Sequence, residues 1–285
     1  MFRLFSTILI CILCTHPRFS FAATTAIGAE REIVVVATVH EATDAFNEKT
    51  LIGILSRVNP DLVLLELDPS FFDGAAGRLP DRFLNLTLET RAVAAYAKAA
   101  QINERPYDID GRNRFFEQNN YFDREAAFNR EIARLSAANQ LAGEAKALFD
   151  ALTGFAAVRD ACGTSGPDVM NSAVCDAAIE RKQEYGFKGL LKIVELTPAL
   201  SSFKPFAVLA DDFWTRRNEA MVTNIIKIAN QLQPARVVVL CGYEHRYYLR
   251  KSLKNFSEKE HFVVKEYWEH RATVRVPDSE RYLRN

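Results

Sequence analysis

The 285-residue sequence has no excess of charge of either sign, because 36 lysines and arginines balance 36 aspartates and glutamates. This balance gives no indication of a nucleic-acid or membrane-surface partner. Beyond residue 14 the sequence also lacks an apolar run long enough to cross a membrane. We therefore expect no transmembrane segment in the mature chain, and a composition ordinary for a folded domain with a core.

Local signatures of two common hydrolase classes are also missing. The sequence contains neither the HExxH motif of zinc peptidases nor the GxSxG motif that presents a serine nucleophile. No internal repeat is evident. Candidate site residues therefore have to be sought far apart in the sequence.

The N-terminus has the features of a secretory signal peptide. Arg3 supplies a short positive region, and the apolar stretch Leu4–Cys14 is too short to span a bilayer. Ser20-Phe21-Ala22 places small residues where a signal peptidase requires them. We expect residues 1–22 to be removed, which leaves one domain, residues 23–285, in the periplasm or secreted.

Few cysteines remain after this cleavage, namely Cys162, Cys175 and Cys241. Cys162 and Cys175 bracket a loop containing glycine, serine and proline, and an oxidising compartment would favour a disulfide bond between them. Cys241 ends an apolar strand and is predicted to be a small buried hydrophobic residue rather than a nucleophile.

Apolar runs in three places predict buried strands, and each strand leads to a histidine or an acid. Their alternation with helical patterns predicts an α/β fold with a mostly parallel central sheet flanked by helices. In such sheets ligands bind at the C-terminal ends of the strands. The runs and their polar residues are 33–36 with His40, 62–67 with Glu66, and 235–241 with His245.

Helical periodicity is present over 44–58, 88–101 and 211–233. A short strand is predicted over 106–110, which would place Asp110 at another strand end. Asp110 is therefore a further site candidate, although it could simply cap a turn at the glycine that follows it.

The strand signal disappears between about residues 113 and 203, where helices are predicted over 123–158 and 167–185. We interpret this segment as a helical insertion that covers the C-terminal strand ends. Such a module can control access to a site and exclude water, or it can serve packing alone.

His40, Glu66 and His245 form the leading candidate site. Two neutral imidazoles and a carboxylate, with one coordination position open, suit a divalent transition metal that activates water. A histidine that follows a strand can equally be a hydrogen-bonded structural residue, so both interpretations stay open.

Polar residues beside these candidates have possible supporting roles. Asn218 lies on an otherwise apolar helical stripe, so it faces inward and requires a polar partner. Arg217 beside it could stabilise negative charge or form a surface ion pair. Glu41 and Glu244 each adjoin a candidate histidine and are candidates for a general base or for a partner of a helix dipole.

Several segments, in the same order along the chain, resemble motifs of the TraB/PrgY/Tiki/GumN group, part of a superfamily with erythromycin-esterase-like and ChaN-like proteins. This group has two GxxH motifs, a glutamate after the second strand and an Arg-Asn pair on a late helix. Ala37 stands where its first motif has glycine. The matching segments are Ala37–His40, Asn59–Asp68, Arg217–Met221 and Gly242–His245.

The resemblance implies an α/β core with a helical insertion and, for Tiki members, a metal-dependent peptidase. Carried over, His40, Glu66 and His245 become the metal or catalytic set, holding Mn²⁺, Co²⁺ or Zn²⁺, and Arg217 and Asn218 become a supporting polar pair. The expected function is thus an exported metal-dependent hydrolase acting on a peptide or a small molecule.

Two alternatives to this function remain open. One is a non-catalytic periplasmic binding protein for haem, iron or a peptide. The other is a metal-independent hydrolase, similar to the erythromycin esterases, that works through the first histidine.

Overall fold

The computed structural model describes residues 30–72, 79–100, 102–141 and 143–270. The predicted signal peptide, residues 1–22, lies outside these ranges. None of the helices within them is both long enough and apolar enough to cross a membrane.

A five-stranded, entirely parallel sheet forms the centre of the molecule, with the strand order β3-β2-β4-β1-β5. This confirms the predicted α/β fold. The strand predicted over 106–110 lies instead at 103–106, so it ends before Tyr107. The strands are β1 Arg31–Thr38, β2 Leu62–Leu65, β3 Asn103–Pro106, β4 Arg236–Gly242 and β5 Phe262–Lys265.

Helices cover both faces of this sheet and fill the middle of the chain. They are α1 Glu48–Val58, α2 Leu88–Ala100, α3 Arg112–Gln118, α4 Tyr121–Ala137, α5 Glu144–Gly163, α6 Pro167–Met170, α7 Ala173–Leu196, α8 Lys204–Leu232 and α9 Arg246–Glu260.

Alternate residues of the strands point to opposite faces, and both faces are buried. Val34 and Val36 of β1 pack in one core cluster with α1 and α2. Ile33 and Val35 pack in a second cluster with the C-terminal part of α8 and with α9. The apolar runs seen in the sequence are therefore nearly continuous because each strand lies between two layers of helices.

Helix α8 belongs to two cores. Its first turns, including Phe206 and Ala210, pack in a third cluster with α4, α5 and α7, whereas Met221 and Ile225 pack against the sheet. The helix starts at Lys204, earlier than predicted, with a proline in its first turn. Arg217 and Asn218 lie between these two cores, and both are buried.

The helical segment before α8 is attached to the sheet through the side chain of Asn171. Strand β5 pairs with β1 only as far as Val34, so beyond that point no strand of the described ranges lies along this edge of β1. The Asn171 amide fills this gap, since Oδ1 accepts from the Ala37 amide nitrogen at 2.7 Å and Nδ2 donates to the Ala37 carbonyl at 3.2 Å.

Cys162 and Cys175 lie at disulfide-bonding distance, with 2.01 Å between their sulfur atoms. The bond joins the end of α5 to the start of α7. Cys241 is a free cysteine and is buried at the end of β4, where burial raises the pKa of its thiol.

Candidate functional site

The ends of β2 and β4 are joined through the Glu66 side chain. Its Oε2 accepts a hydrogen bond of 2.6 Å from the amide nitrogen of Gly242, the last residue of β4. His40, after β1, approaches the same position from the other side. A Cβ atom on Gly242 would lie 3.4 Å from Nε2 of His40 and 3.5 Å from Oε2 of Glu66. A glycine at residue 242 therefore keeps the space between His40 and Glu66 open.

The guanidinium of Arg217 lies at the centre of the site. Its Nη2 donates to Oε1 of Glu66 at 2.5 Å, and Nε and Nη2 together bind the two oxygens of Asp108 at 2.9 and 2.8 Å. Its Nη1 lies 3.2 Å from Nε2 of His245. Burial acts to lower the pKa of Arg217, but the carboxylates of Glu66 and Asp108 outweigh it and raise that pKa above its usual value.

His245 is held in one tautomer by its neighbours. Asn218 donates from Nδ2 to the Trp214 carbonyl at 2.8 Å, which leaves its Oδ1 as the acceptor for Nδ1–H of His245, also at 2.8 Å. Nε2 therefore carries the lone pair and accepts from Arg217. Burial, with the charge of Arg217, lowers the pKa of His245 to about 4 although Glu66 opposes this, so His245 is neutral at neutral pH.

Glu66 stays ionised in this environment. Burial acts to raise the pKa of Glu66, whereas His245 and the Arg217 guanidinium lower it, and the net effect is a pKa below the usual value. A buried carboxylate that accepts from a guanidinium and a backbone amide is well satisfied.

His40 forms a separate pair with Glu89, the second residue of α2. Its Nδ1 lies 3.0 Å from Oε1 of Glu89, and the same oxygen accepts from the Thr38 hydroxyl at 2.6 Å. The hydrogen bond to Glu89 raises the pKa of His40 to about 9, against the opposing effect of burial. More than half of the His40 side chain, 57%, is exposed, whereas that of Glu89 is only 8% exposed.

Sequence reasoning missed Glu89, because it lies in an alanine-rich helix rather than at a strand end. An acid in the first turn of a helix, next to a threonine pair that caps that turn, is the only sequence signal that could have drawn attention to it. Its second oxygen, Oε2, is buried and has no hydrogen-bond partner within the described ranges.

A cavity of about 440 Å³ opens beside His40 and reaches the buried guanidinium. Its lining combines polar and charged side chains with the aromatic rings of Phe116 and Phe122. The residues that line it are His40, Leu65, Glu66, Leu67, Thr87, Glu89, Thr90, Arg112, Asn113, Phe116, Phe122 and Arg217.

The acid that β3 contributes to the site is Asp108 and not the predicted Asp110. Because the strand ends at Pro106, Asp108 is the residue that turns inward, and it is completely buried. It bridges Arg217 and Arg112, whose Nη1 donates to Oδ2 of Asp108 at 2.7 Å. Asp110 is exposed.

Both predicted candidates for a general base lie away from the cavity lining. Glu244 accepts from Lys182 at 2.9 Å, from Gln183 at 2.5 Å and from Arg159 at 3.4 Å, all in α5 or α7. It therefore attaches the helical insertion to the turn that precedes His245. Glu41 is exposed.

The arrangement does not suit one ion shared by His40, Glu66 and His245. Within the described ranges, no three or more histidine, cysteine, aspartate or glutamate side chains are grouped to hold a metal. The cationic Arg217 lies between Glu66 and His245 and engages an oxygen of the first and the lone pair of the second. An ion placed there would have to displace a buried charge of the same sign. The metal site stays a prediction.

The Arg-Asn pair contacts the site through different atoms. Arg217 contacts both Glu66 and His245, whereas Asn218 accepts from Nδ1–H of His245. Neither a scan against protein-family models nor searches of curated proteins and of solved structures found a match. The resemblance to the TraB/PrgY/Tiki/GumN group rests on the sequence motifs alone.

Proposed function

We propose that this chain is an exported hydrolase that cleaves an ester or amide bond with water activated at His40, without an ion shared with Glu66 and His245. The observation that carries the proposal is the pairing of His40 with the buried Glu89 at the edge of a cavity that also reaches two arginines. Export rests on the features of the N-terminal residues and agrees with the Cys162–Cys175 bond.

His40 is arranged to accept a proton from water at Nε2. Its Nδ1–H donates to Oε1 of Glu89, which fixes the tautomer and stabilises the imidazolium that forms after proton transfer. Because the pKa of His40 is about 9, only a small fraction of the imidazole is free base at neutral pH. Hydrolysis should therefore become faster as the pH rises towards 9.

Water itself is the nucleophile in this scheme. The cavity lining contains neither serine nor cysteine among the residues described. Its two threonine hydroxyls belong to the capped first turn of α2, where Thr90 Oγ1 donates to the Thr87 carbonyl and Thr87 Oγ1 accepts from the Thr90 amide. Water attacks the carbonyl carbon as His40 takes its proton. The C–N or C–O bond then breaks, and the His40 imidazolium returns the proton to the leaving amine or alcohol.

Two arginines can stabilise the negative charge that develops on the carbonyl oxygen. A guanidinium has five N–H donors. Within the described ranges, Glu66, Asp108 and His245 engage four of those of Arg217, which leaves one on Nη1. Arg112 donates from Nε to Asn113 and from Nη1 to Asp108 and to the Glu66 carbonyl, so among the same residues its Nη2 is left for an oxyanion. Glu66, Asp108 and His245 then serve to hold the buried guanidinium in place.

The proposal is tested with p-nitrophenyl esters and peptide amides in the presence of a chelator. We expect hydrolysis to persist with chelator and to be lost in His40→Ala, while the exposed His261 serves as a control through His261→Asn. Activity that chelator abolishes and Mn²⁺, Co²⁺ or Zn²⁺ restores would reject this proposal in favour of the metal-dependent hydrolase. No hydrolysis, together with a Soret band on haem titration, would support the binding protein instead.

A further inference from the structure

The turn between α3 and α4 presents two phenylalanine rings beside the site. Helix α3 ends at Gln118, and Asn120 has a left-handed backbone conformation (φ 44°), so the chain reverses direction at once into α4. This brings the rings of Phe116 and Phe122 to 4.8 Å between their centroids. We call these two residues the aromatic corner.

The aromatic corner rests on a packed base. Phe115, next to Phe116, stacks on Phe213 of α8 at 3.8 Å, and Tyr121, next to Phe122, packs against Phe206 at 5.3 Å. Neighbouring rings therefore anchor the corner to α8, the helix that also carries Arg217. The positions of Phe116 and Phe122 relative to the site are fixed by this packing rather than by the turn alone.

The rings of the aromatic corner are apolar, yet both remain partly exposed to solvent. Phe122 is 61% exposed and Phe116 is half-buried. Both line the cavity beside His40, and both also line a second cavity of about 370 Å³ that extends outward along the start of α4. Asn113 lines both cavities as well, so the two cavities are neighbours at the corner. Each cavity has the size of a small-molecule site.

The lining of the cavity beside His40 offers two kinds of surface, one polar and one apolar. His40, Arg112 and Arg217 are suited to the carbonyl group and the attacking water, whereas the aromatic corner offers only apolar surface. A compound bound with its carbonyl at the polar side therefore directs one substituent across Phe116 and Phe122. We propose that the aromatic corner is the subsite for an aliphatic or aromatic acyl group, so that the substrates are esters or amides of apolar acids rather than small polar compounds. This rests on the hydrolytic function proposed above.

The inference is tested with p-nitrophenyl acetate, hexanoate and 3-phenylpropanoate, which share one leaving group. For the wild type we expect kcat/KM to be about tenfold higher for hexanoate than for acetate. One methylene that packs well in an apolar pocket changes kcat/KM by about this factor, and several methylenes that pack only partly have a similar effect. In Phe122→Ala the ratio should fall towards one, and Phe122→Leu should restore most of it. Phe256→Ala removes an exposed ring on α9, away from both cavities, and should keep the wild-type ratio.

Binding of the corresponding carboxylates, followed by NMR titration, separates this inference from the proposed function. If no ester is hydrolysed but hexanoate binds more tightly than acetate, and this preference is lost in Phe122→Ala, the subsite stands and the hydrolase does not. If esters are hydrolysed with equal efficiency whatever their acyl length, or if Phe122→Ala retains the wild-type ratio, the subsite is wrong and the hydrolase stands. Equal binding of the carboxylates by a protein without hydrolysis overturns both.

Discussion

Arg217 donates a hydrogen bond of 3.2 Å to Nε2 of His245. His245, the histidine of the second motif, therefore has a structural role. The imidazole serves as a neutral acceptor for a buried cation, with its other nitrogen fixed by Asn218. His40, in contrast, has an exposed ring and a carboxylate partner of its own. The two histidines therefore have opposite protonation tendencies although similar sequence motifs carry them.

Replacement of Arg217 should destabilise the fold. Arg217→Met leaves the buried carboxylates of Glu66 and Asp108 without their cation, which typically costs about 3–5 kcal/mol. The neighbouring Arg216 forms an exposed pair with Asp212, so Arg216→Met should cost less than about 1 kcal/mol. Urea unfolding of the two variants makes the comparison. Equal losses would show that Arg217 is not the central cation of the site.

Glu89 should control the pKa of His40. In Glu89→Gln the charged hydrogen-bond partner is lost, so we expect the pKa of His40 to fall from about 9 towards 6.5. NMR titration of the His40 ring in the wild type and in Glu89→Gln measures this. Because the folded pKa is the higher one, the stabilisation from this pair is complete below pH 6.5 and is lost as the pH rises through 9. A His40 pKa that Glu89→Gln leaves near 9 would contradict the assignment.

His245 should make the protein sensitive to mild acid. Its folded pKa of about 4 lies below the unfolded value of 6.5, so the unfolded state binds more protons between these limits. The free energy of unfolding should fall by about 2 kcal/mol between pH 6.5 and 4.5. His245→Gln should lose less over the same interval, because it lacks the titrating group. Identical slopes for wild type and His245→Gln would refute the buried neutral histidine.

Gly242 should be required for ligand access and not for folding. Gly242→Ala adds a Cβ atom in ordinary van der Waals contact with His40 and Glu66, at 3.4 and 3.5 Å. We expect near-normal stability but at least tenfold lower kcat/KM, since the methyl group occupies the space where water meets His40. Gly53→Ala on α1 is the control, because nothing lies within 4 Å of its added Cβ. That variant should keep full activity and gain roughly 0.5–1 kcal/mol of stability.

The sequence is informative where strands are apolar and uninformative where they are polar. His40, Glu66 and His245 each follow a run of residues that is buried on both faces of a parallel sheet, so their common location follows from the pattern. Strand β3 reads Asn-Glu-Arg-Pro at the edge of the sheet and carries no such pattern. The sequence pattern consequently predicts this strand too late in the chain and indicates Asp110 in place of Asp108.

Residues that reach the site from helices could not be found in this way. Glu89 lies in the first turn of α2, and only the packing of that helix brings it to His40. Arg112 lies in the first turn of α3, four residues after Asp108, and pairs with it locally. Glu244 adjoins His245 in the sequence and is for that reason a candidate base. The hydrogen-bond partners of its side chain, however, belong to the helical insertion. Adjacency in sequence does not indicate which way a side chain turns when the competing partners come from α5 and α7.

The side-chain amide of Asn171 bonds both backbone groups of Ala37 at the edge of β1, and these bonds restrict how the helical insertion can move. A lid that swung open as a rigid unit would leave the N–H and C=O of Ala37 buried without partners or would expose them to water, and either outcome is costly. Opening of the helical insertion is thereby tied to local unfolding of the segment that carries Asn171. Amide hydrogen exchange at Ala37, three residues before His40, would then report how often that segment detaches.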